Sequence, residues 1–98
     1  VSGSGPAFFS YFLDRMIDAG VKQGLSPENA RMLAEQTMLG TSRVLIEKNM
    51  EPKELIRSVA SAKGTTAAGL AVLQKSTLGR IVQSTVRAAA KRSKELSE

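Results

Sequence analysis

The 98-residue sequence contains no cysteine, no histidine and no tryptophan. Without Cys or His there is no thiol or imidazole nucleophile, no Cys/His zinc site and no disulfide framework. No metal site is expected, and the lack of cysteine fits a cytoplasmic protein. Aromatic residues are scarce, and Phe8, Phe9, Tyr11 and Phe12 all fall in one apolar segment. They do not interleave with basic residues, so no base-stacking platform is present. The formal net charge of +5 is spread along the chain, with one modest cluster at "RAAAKRSKE". That pattern argues against a nucleic-acid partner. No apolar run approaches the roughly 18–20 residues of a membrane span, so no membrane role is expected. The start, "VSGSGPAFF", has neither the basic n-region nor the cleavage pattern of a signal peptide. It also lacks an initiator Met, and Gly-Ser-Gly-Pro reads as an interdomain approach, so the chain is expected to be part of a longer protein.

What remains is an ordinary globular composition, 42% apolar and 23% charged. Residues 1–98 read as one domain, a size that buries roughly 60–65% of its unfolded surface and folds alone with a modest margin. The pattern is helical throughout. Ser4 or Gly5 caps a first helix with Pro6 at its first position, where a missing N–H costs nothing. Phe9, Phe12, Leu13, Met16, Ile17 and Val21 follow at helical spacing, and Gly24 stops it. Ser26 caps a second helix, from Pro27 to about Lys48, with Asn29 where a capping-box Glu would sit. Its apolar residues, from Ala30 through Leu39 to Ile46, go nearly all the way round. A helix apolar on most faces is buried on most faces, which in so short a chain points to a second protomer. A short helix in "EPKELIRSVAS" follows, then one in "TTAAGLAVLQKS". A last helix starts near Ser76 or Thr77, runs through Ala89 and frays into "KRSKELSE". The expected fold is all-α, with five helices and no strand.

Two segments carry candidate chemistry. "GSGPA" (residues 3–7) begins like a dinucleotide-binding loop. It has no preceding strand, no third glycine, and a proline where a pyrophosphate-facing N–H is wanted. A capped helix start explains it better. The second segment is "SAKGTT" (residues 61–66). Gly64 admits close approach to the backbone. The N–H groups of Thr65 and Thr66 would open a helix whose positive dipole end favours a carboxylate or phosphate. Thr65 as an ordinary N-cap is the plainer reading of such a turn. The redundancy favours an anion site, because a cap uses one hydroxyl and Ser61, Thr65 and Thr66 supply three.

From "GSGPAFFSYFLDRMIDAGVKQGLSPENARMLAEQTMLGTSRVL" through "VASAKGTTAAGLAVL" to "AAAKRSKEL", the chain resembles the C-terminal domain of pyrroline-5-carboxylate reductase. The family's loop usually reads Val-Thr-Ser-Pro-Gly-Gly-Thr-Thr. Val59, Ser61, Gly64, Thr65 and Thr66 match it, while Ala60, Ala62 and Lys63 depart from it, and Arg57 stands where an acidic residue is frequent. The resemblance implies an enzyme that reduces 1-pyrroline-5-carboxylate to L-proline in proline biosynthesis. NADPH or NADH would be bound mainly by an N-terminal Rossmann domain that this chain lacks, and none by this chain alone. It implies an intertwined homodimer with interlocking long helices, or a higher oligomer of such dimers. Ser61, Gly64, Thr65 and Thr66 would hold the substrate, Ser61 lying near the nicotinamide. Thr66 is the candidate catalytic residue, its hydroxyl facing the ring nitrogen, although an unperturbed hydroxyl is a poor general acid. The isolated chain is expected to dimerise without catalysing anything. Other readings are a non-catalytic helical dimerisation or adaptor module, a basic nucleic-acid binder, and another imine or 2-keto-acid-linked reductase of the same plan.

Overall fold

A computed structural model describes residues 3–62 and 64–97, the Ala62 side chain excepted, so the departure at Lys63 lies outside the described residues. The elements are α1 (Gly5–Lys22), α2 (Pro27–Glu47), α3 (Pro52–Ala62), α4 (Gly64–Lys75) and α5 (Leu78–Ser97). No strand occurs among the described residues, so the all-α expectation holds. The chain divides into two compact units, Val1–Pro52 and Lys53–Glu98.

The first unit is a helical hairpin. Ser4 is the N-cap of α1 through its carbonyl, which accepts from the N–H groups of Ala7 (3.0 Å) and Phe8 (3.2 Å). Its hydroxyl makes no capping bond. Gly5, and not Pro6, is therefore the first helical residue. At the other end Gly24 adopts φ +110°, a conformation that costs a side chain dear and glycine nothing. Gly24 N–H then donates to Val21 O (3.0 Å), and Leu25 N–H to Gly20 O (3.1 Å). This paired closure satisfies carbonyls that the helix end would leave open. Ser26 starts α2, its hydroxyl accepting from the Asn29 N–H at 3.2 Å, with Pro27 following as expected.

Packing of the hairpin centres on Gly20. A Cβ there would stand 3.4 Å from Leu25 Cδ1 and 3.5 Å from Ala30 Cβ. Both are ordinary van der Waals distances, so α1 passes close to the start of α2 here, and Ala30 is only 3% exposed. Ion pairs spaced four residues apart run along the outside: Asp18–Lys22 (3.2 Å), Arg31–Glu35 (3.1 Å) and Arg43–Glu47 (3.4 Å). Each is exposed and contributes a few tenths of a kcal/mol at most. The α2 stop is Asn49, at φ +49°. Its N–H donates to Ile46 O (3.2 Å) and that of Met50 to Leu45 O (2.9 Å), repeating the closure at Gly24.

The second unit carries α4, α5 and nearly all of α3. Leu55, Ile56 and Val59 share one side of α3, and Ile56 and Val59 remain exposed. On α5, Leu78, Ile81, Val82, Thr85, Val86 and Ala89 form an apolar stripe at helical spacing. The helix does not fray after Ala89 as its sequence suggests; it continues to Ser97. Its tail is rich in strong helix formers, Ala, Lys, Arg, Glu and Leu. An Arg92–Glu95 pair (3.3 Å) and a Ser97 hydroxyl donating to Ser93 O (2.9 Å) add to it.

Neither unit contains a core of large side chains. Among the described residues only Gly5 and Ala30 are buried. Phe9, Phe12, Met16, Leu33 and Met38 line an open apolar groove of about 890 Å³ along α1 and α2. Met32, Leu39 and Ile46, seven residues apart, form a further exposed stripe on α2. The exposed faces are those that the sequence pattern assigns to contact with a second protomer. Apolar residues sit on several sides of each long helix, and one partner helix covers only one side.

Gly24→Ala is expected to destabilise the protein by about 1–2 kcal/mol, since a Cβ is forced into left-handed backbone space. Chemical denaturation measures this, and an unchanged midpoint would refute the role given to Gly24.

Candidate functional site

The candidate residues meet where α3 gives way to α4. α3 runs through Ala62 and α4 starts at Gly64, so the helical break is narrower than "SAKGTT" suggests. α4 begins one residue before the expected Thr65. The N–H groups of a helix's first turn have no acceptor within the helix, and the dipole makes that end attractive to anions. Gly64, Thr65 and Thr66 are the first three residues of α4, so they supply this end.

Their surroundings differ. Gly64 is exposed and nothing lies within 4 Å of where its Cβ would be, so a ligand can approach the backbone. Thr65 is exposed and Thr66 is half-buried. Ser61 behaves differently from the expectation of a turn residue. It lies in the last turn of α3, and its hydroxyl donates back to Ser58 O at 3.2 Å. A hydroxyl near the end of a helix readily makes such a bond to the preceding turn. The structure therefore brings Gly64, Thr65 and Thr66 together at one helix start and leaves Ser61 on the preceding helix, committed locally.

Ser61, Gly64, Thr65 and Thr66 themselves offer neutral donors: backbone N–H groups and hydroxyls. No ionisable side chain belongs to these four residues, and no cluster of three or more metal-ligating side chains exists among the described residues. The described residues include no strand-turn-helix of the kind that cradles a dinucleotide. In the first unit, a hydrogen bond from Arg15 to Asp14 (2.9 Å), with that residue's charge, raises the already high Arg15 pKa. No helix of the described residues is long and apolar enough to cross a membrane.

The sequence leaves Ser76 and Thr77 both open as the start of α5, and the structure divides the task between them. The Ser76 hydroxyl accepts from Leu78 N–H (3.2 Å) and donates to Leu73 O (2.6 Å), so it closes α4 and starts α5 at once. Thr77 serves α5 through its carbonyl, which accepts from Ile81 N–H (3.1 Å). The sequence "KSTLG" signals a cap but does not say which hydroxyl acts.

Uncovered apolar faces on five helices, with one hydroxyl-rich helix start, define an all-α module that another surface must complete. Comparison with known proteins gives that class a family. The chain belongs to the pyrroline-5-carboxylate reductase dimerisation family, whose model matches residues 1–96. It is 44% identical to pyrroline-5-carboxylate reductase of Pseudomonas aeruginosa, over 100% of this chain and 36% of that protein. It is 41% identical to pyrroline-5-carboxylate reductase 1 of Bacillus subtilis, over 100% of this chain and 33% of the relative. A crystal structure of Plasmodium falciparum pyrroline carboxylate reductase with NADP bound matches with a TM-score of 0.92 and 36% identity, covering 100% of this chain and 37% of that one. The chain thus spans about a third of the length of the curated relatives it matches.

Because Ser61 makes an exposed, local hydrogen bond, Ser61→Ala is expected to change stability by less than about 0.5 kcal/mol. Thermal unfolding measures this; a larger loss would show that the hydroxyl has a structural partner.

Proposed function

We propose that this chain is the dimerisation and substrate-binding part of an enzyme that reduces 1-pyrroline-5-carboxylate to L-proline with NAD(P)H. The observation that carries the reading is Gly64-Thr65-Thr66 at the start of α4, in a chain that belongs to this family over residues 1–96. The substrate carboxylate lies against the Thr65 and Thr66 N–H groups, where the helix end favours negative charge. Gly64 permits that approach by having no side chain. Thr66, the more sheltered of the two threonines, directs its hydroxyl toward the ring nitrogen. Ser61 faces the nicotinamide side and releases its bond to Ser58 when it contacts a ligand.

Bound NAD(P)H, held mainly by a nucleotide-binding domain outside this chain, supplies the hydride that reaches C5 of the protonated imine. The C=N π electrons pass to nitrogen, giving the neutral secondary amine, which then takes a proton from water to become the ammonium of proline. The protonated imine is already electrophilic, so these residues have only to bind, orient and exclude other geometries. That division of labour suits a site with no His, Cys or carboxylate.

Self-association follows from the exposed apolar faces and the family. A second copy laid on the α1–α2 groove and the outer helix faces removes from water the side chains that one chain leaves exposed. Burying each Leu, Val, Met or Phe stabilises the assembly by roughly 1.5–3 kcal/mol. Each active site then joins the helical part of one subunit to the nucleotide-binding part of another.

Two experiments test this. Alone, the chain is expected to sediment as a dimer or larger oligomer and to show no reductase activity; an active monomer would overturn the reading. In the complete enzyme, Thr66→Ala is expected to lower kcat/KM by at least tenfold, whereas Thr77→Ala changes it less than threefold. Equal losses would remove Thr66 from the site.

A further inference from the structure

Basic residues recur along the whole chain, but the acidic residues that offset them do not. Residues 1–52 hold five Lys or Arg against six Asp or Glu, whereas residues 53–98 hold nine against three. From Leu55 to Lys94, forty consecutive residues include no Asp or Glu at all. The net positive charge therefore lies in the second unit, the one that carries the helix start at Gly64. Ion pairing follows the same division. Four of the five pairs among the described residues belong to the first unit, and the second has Arg92–Glu95 alone. On α5, Arg80, Arg87 and Lys91 are exposed, and no carboxylate among the described residues pairs with them. They stand seven and four residues apart, so at 3.6 residues per turn they form one row, on the side away from the apolar stripe. Like charges four residues apart weaken a helix, so Arg87 and Lys91 do nothing for α5 itself.

We propose that this acid-free half of the protein steers anions, the row Arg80–Arg87–Lys91 on α5 raising the rate at which NAD(P)H reaches the assembled site. The inference rests on the reading of the chain as part of an NAD(P)H-dependent reductase, and it adds a kinetic role for residues outside the substrate turn. The reactants suit it: the cofactor carries a diphosphate, NADPH a further phosphate, and the imine substrate a carboxylate. Uncompensated charges on one side of a protein sum to a field that draws such molecules in, and gains of roughly 10- to 1,000-fold in association rate are reached where the field is strong. No contact with the ligand is needed, so side chains that pair with nothing in their own chain can act this way. Salt screens them. Charges that act at a distance set the rate of encounter and leave dissociation nearly unchanged.

The test compares the complete enzyme with its triple variant Arg80→Gln, Arg87→Gln, Lys91→Gln, which keeps good helix formers on α5. Stopped-flow fluorescence of NADPH, with no imine present, gives association and dissociation rates. They are measured at ionic strengths of about 0.01 M and about 1 M, where charges act over roughly 30 Å and roughly 3 Å. The variant is expected to associate at least fivefold more slowly at low salt, to converge with the parent within twofold at high salt, and to dissociate within twofold of it in both. Equal association rates at low salt overturn the inference. So does a deficit that persists at high salt, which marks a lost contact or a damaged fold. The parent enzyme gives an independent check, since its association rate is expected to fall at least tenfold from low to high salt. A flat profile there overturns the inference whatever the variant does. A complete enzyme that does not bind NADPH, or binds it without reducing the imine, overturns the reductase reading instead.

Discussion

Apolar surface that its own chain does not cover is the constraint on which this structure depends. Each helix has a side made of Leu, Ile, Val, Met or Phe, and the hairpin of α1 and α2 covers only the small residues at its crossing. Phe9 is 65% exposed and Ile46 78% exposed. At roughly 25 cal/mol per Å² of apolar surface, leaving such faces in water forfeits most of the free energy that holds a small domain together. The hydrogen bonds and ion pairs that are present cannot replace it. Surface pairs such as Arg31–Glu35 are worth tenths of a kcal/mol. The helices are well made one by one, with caps at Ser26 and Ser76 and clean stops at Gly24 and Asn49. Their assembly waits on a second surface.

The same constraint bears on the candidate site. A helix start binds an anion well when water is excluded, because a lower local dielectric strengthens each N–H contact. On the chain alone, Gly64 and Thr65 are exposed and only Thr66 is sheltered. Val72 and Leu73, farther along the same helix, are exposed as well.

Most of the fold was legible residue by residue. Gly24, Ser26 and Pro27 fix the α1–α2 turn through local backbone preferences, which do not depend on distant contacts. Other boundaries were not legible. Asn49 ends α2 because asparagine tolerates left-handed backbone, yet its sequence neighbourhood, "KNMEP", does not single it out from an ordinary helical residue. The tail after Ala89 looked polar enough to fray, and its helix formers carry it on to Ser97. At the site, Gly64 and the two threonines were readable as a helix start. Ser61 was not readable as an α3 residue. Serine is common both in turns and at helix ends, and only the backbone of α3 shows that its hydroxyl turns back to Ser58.

The sequence by itself determined five helices, their main caps, the absence of Cys and His chemistry, and a hydroxyl-rich helix start at Gly64, Thr65 and Thr66. These follow from short-range rules of periodicity and backbone preference, which twenty residues of context suffice to apply. Only the tertiary structure decided that the apolar faces stay uncovered, that Ala30 is buried beside Gly20, and that Ser61 belongs to the helix before the turn. Such facts depend on which surfaces meet across long stretches of chain, and periodicity says which residues seek burial without saying what will bury them.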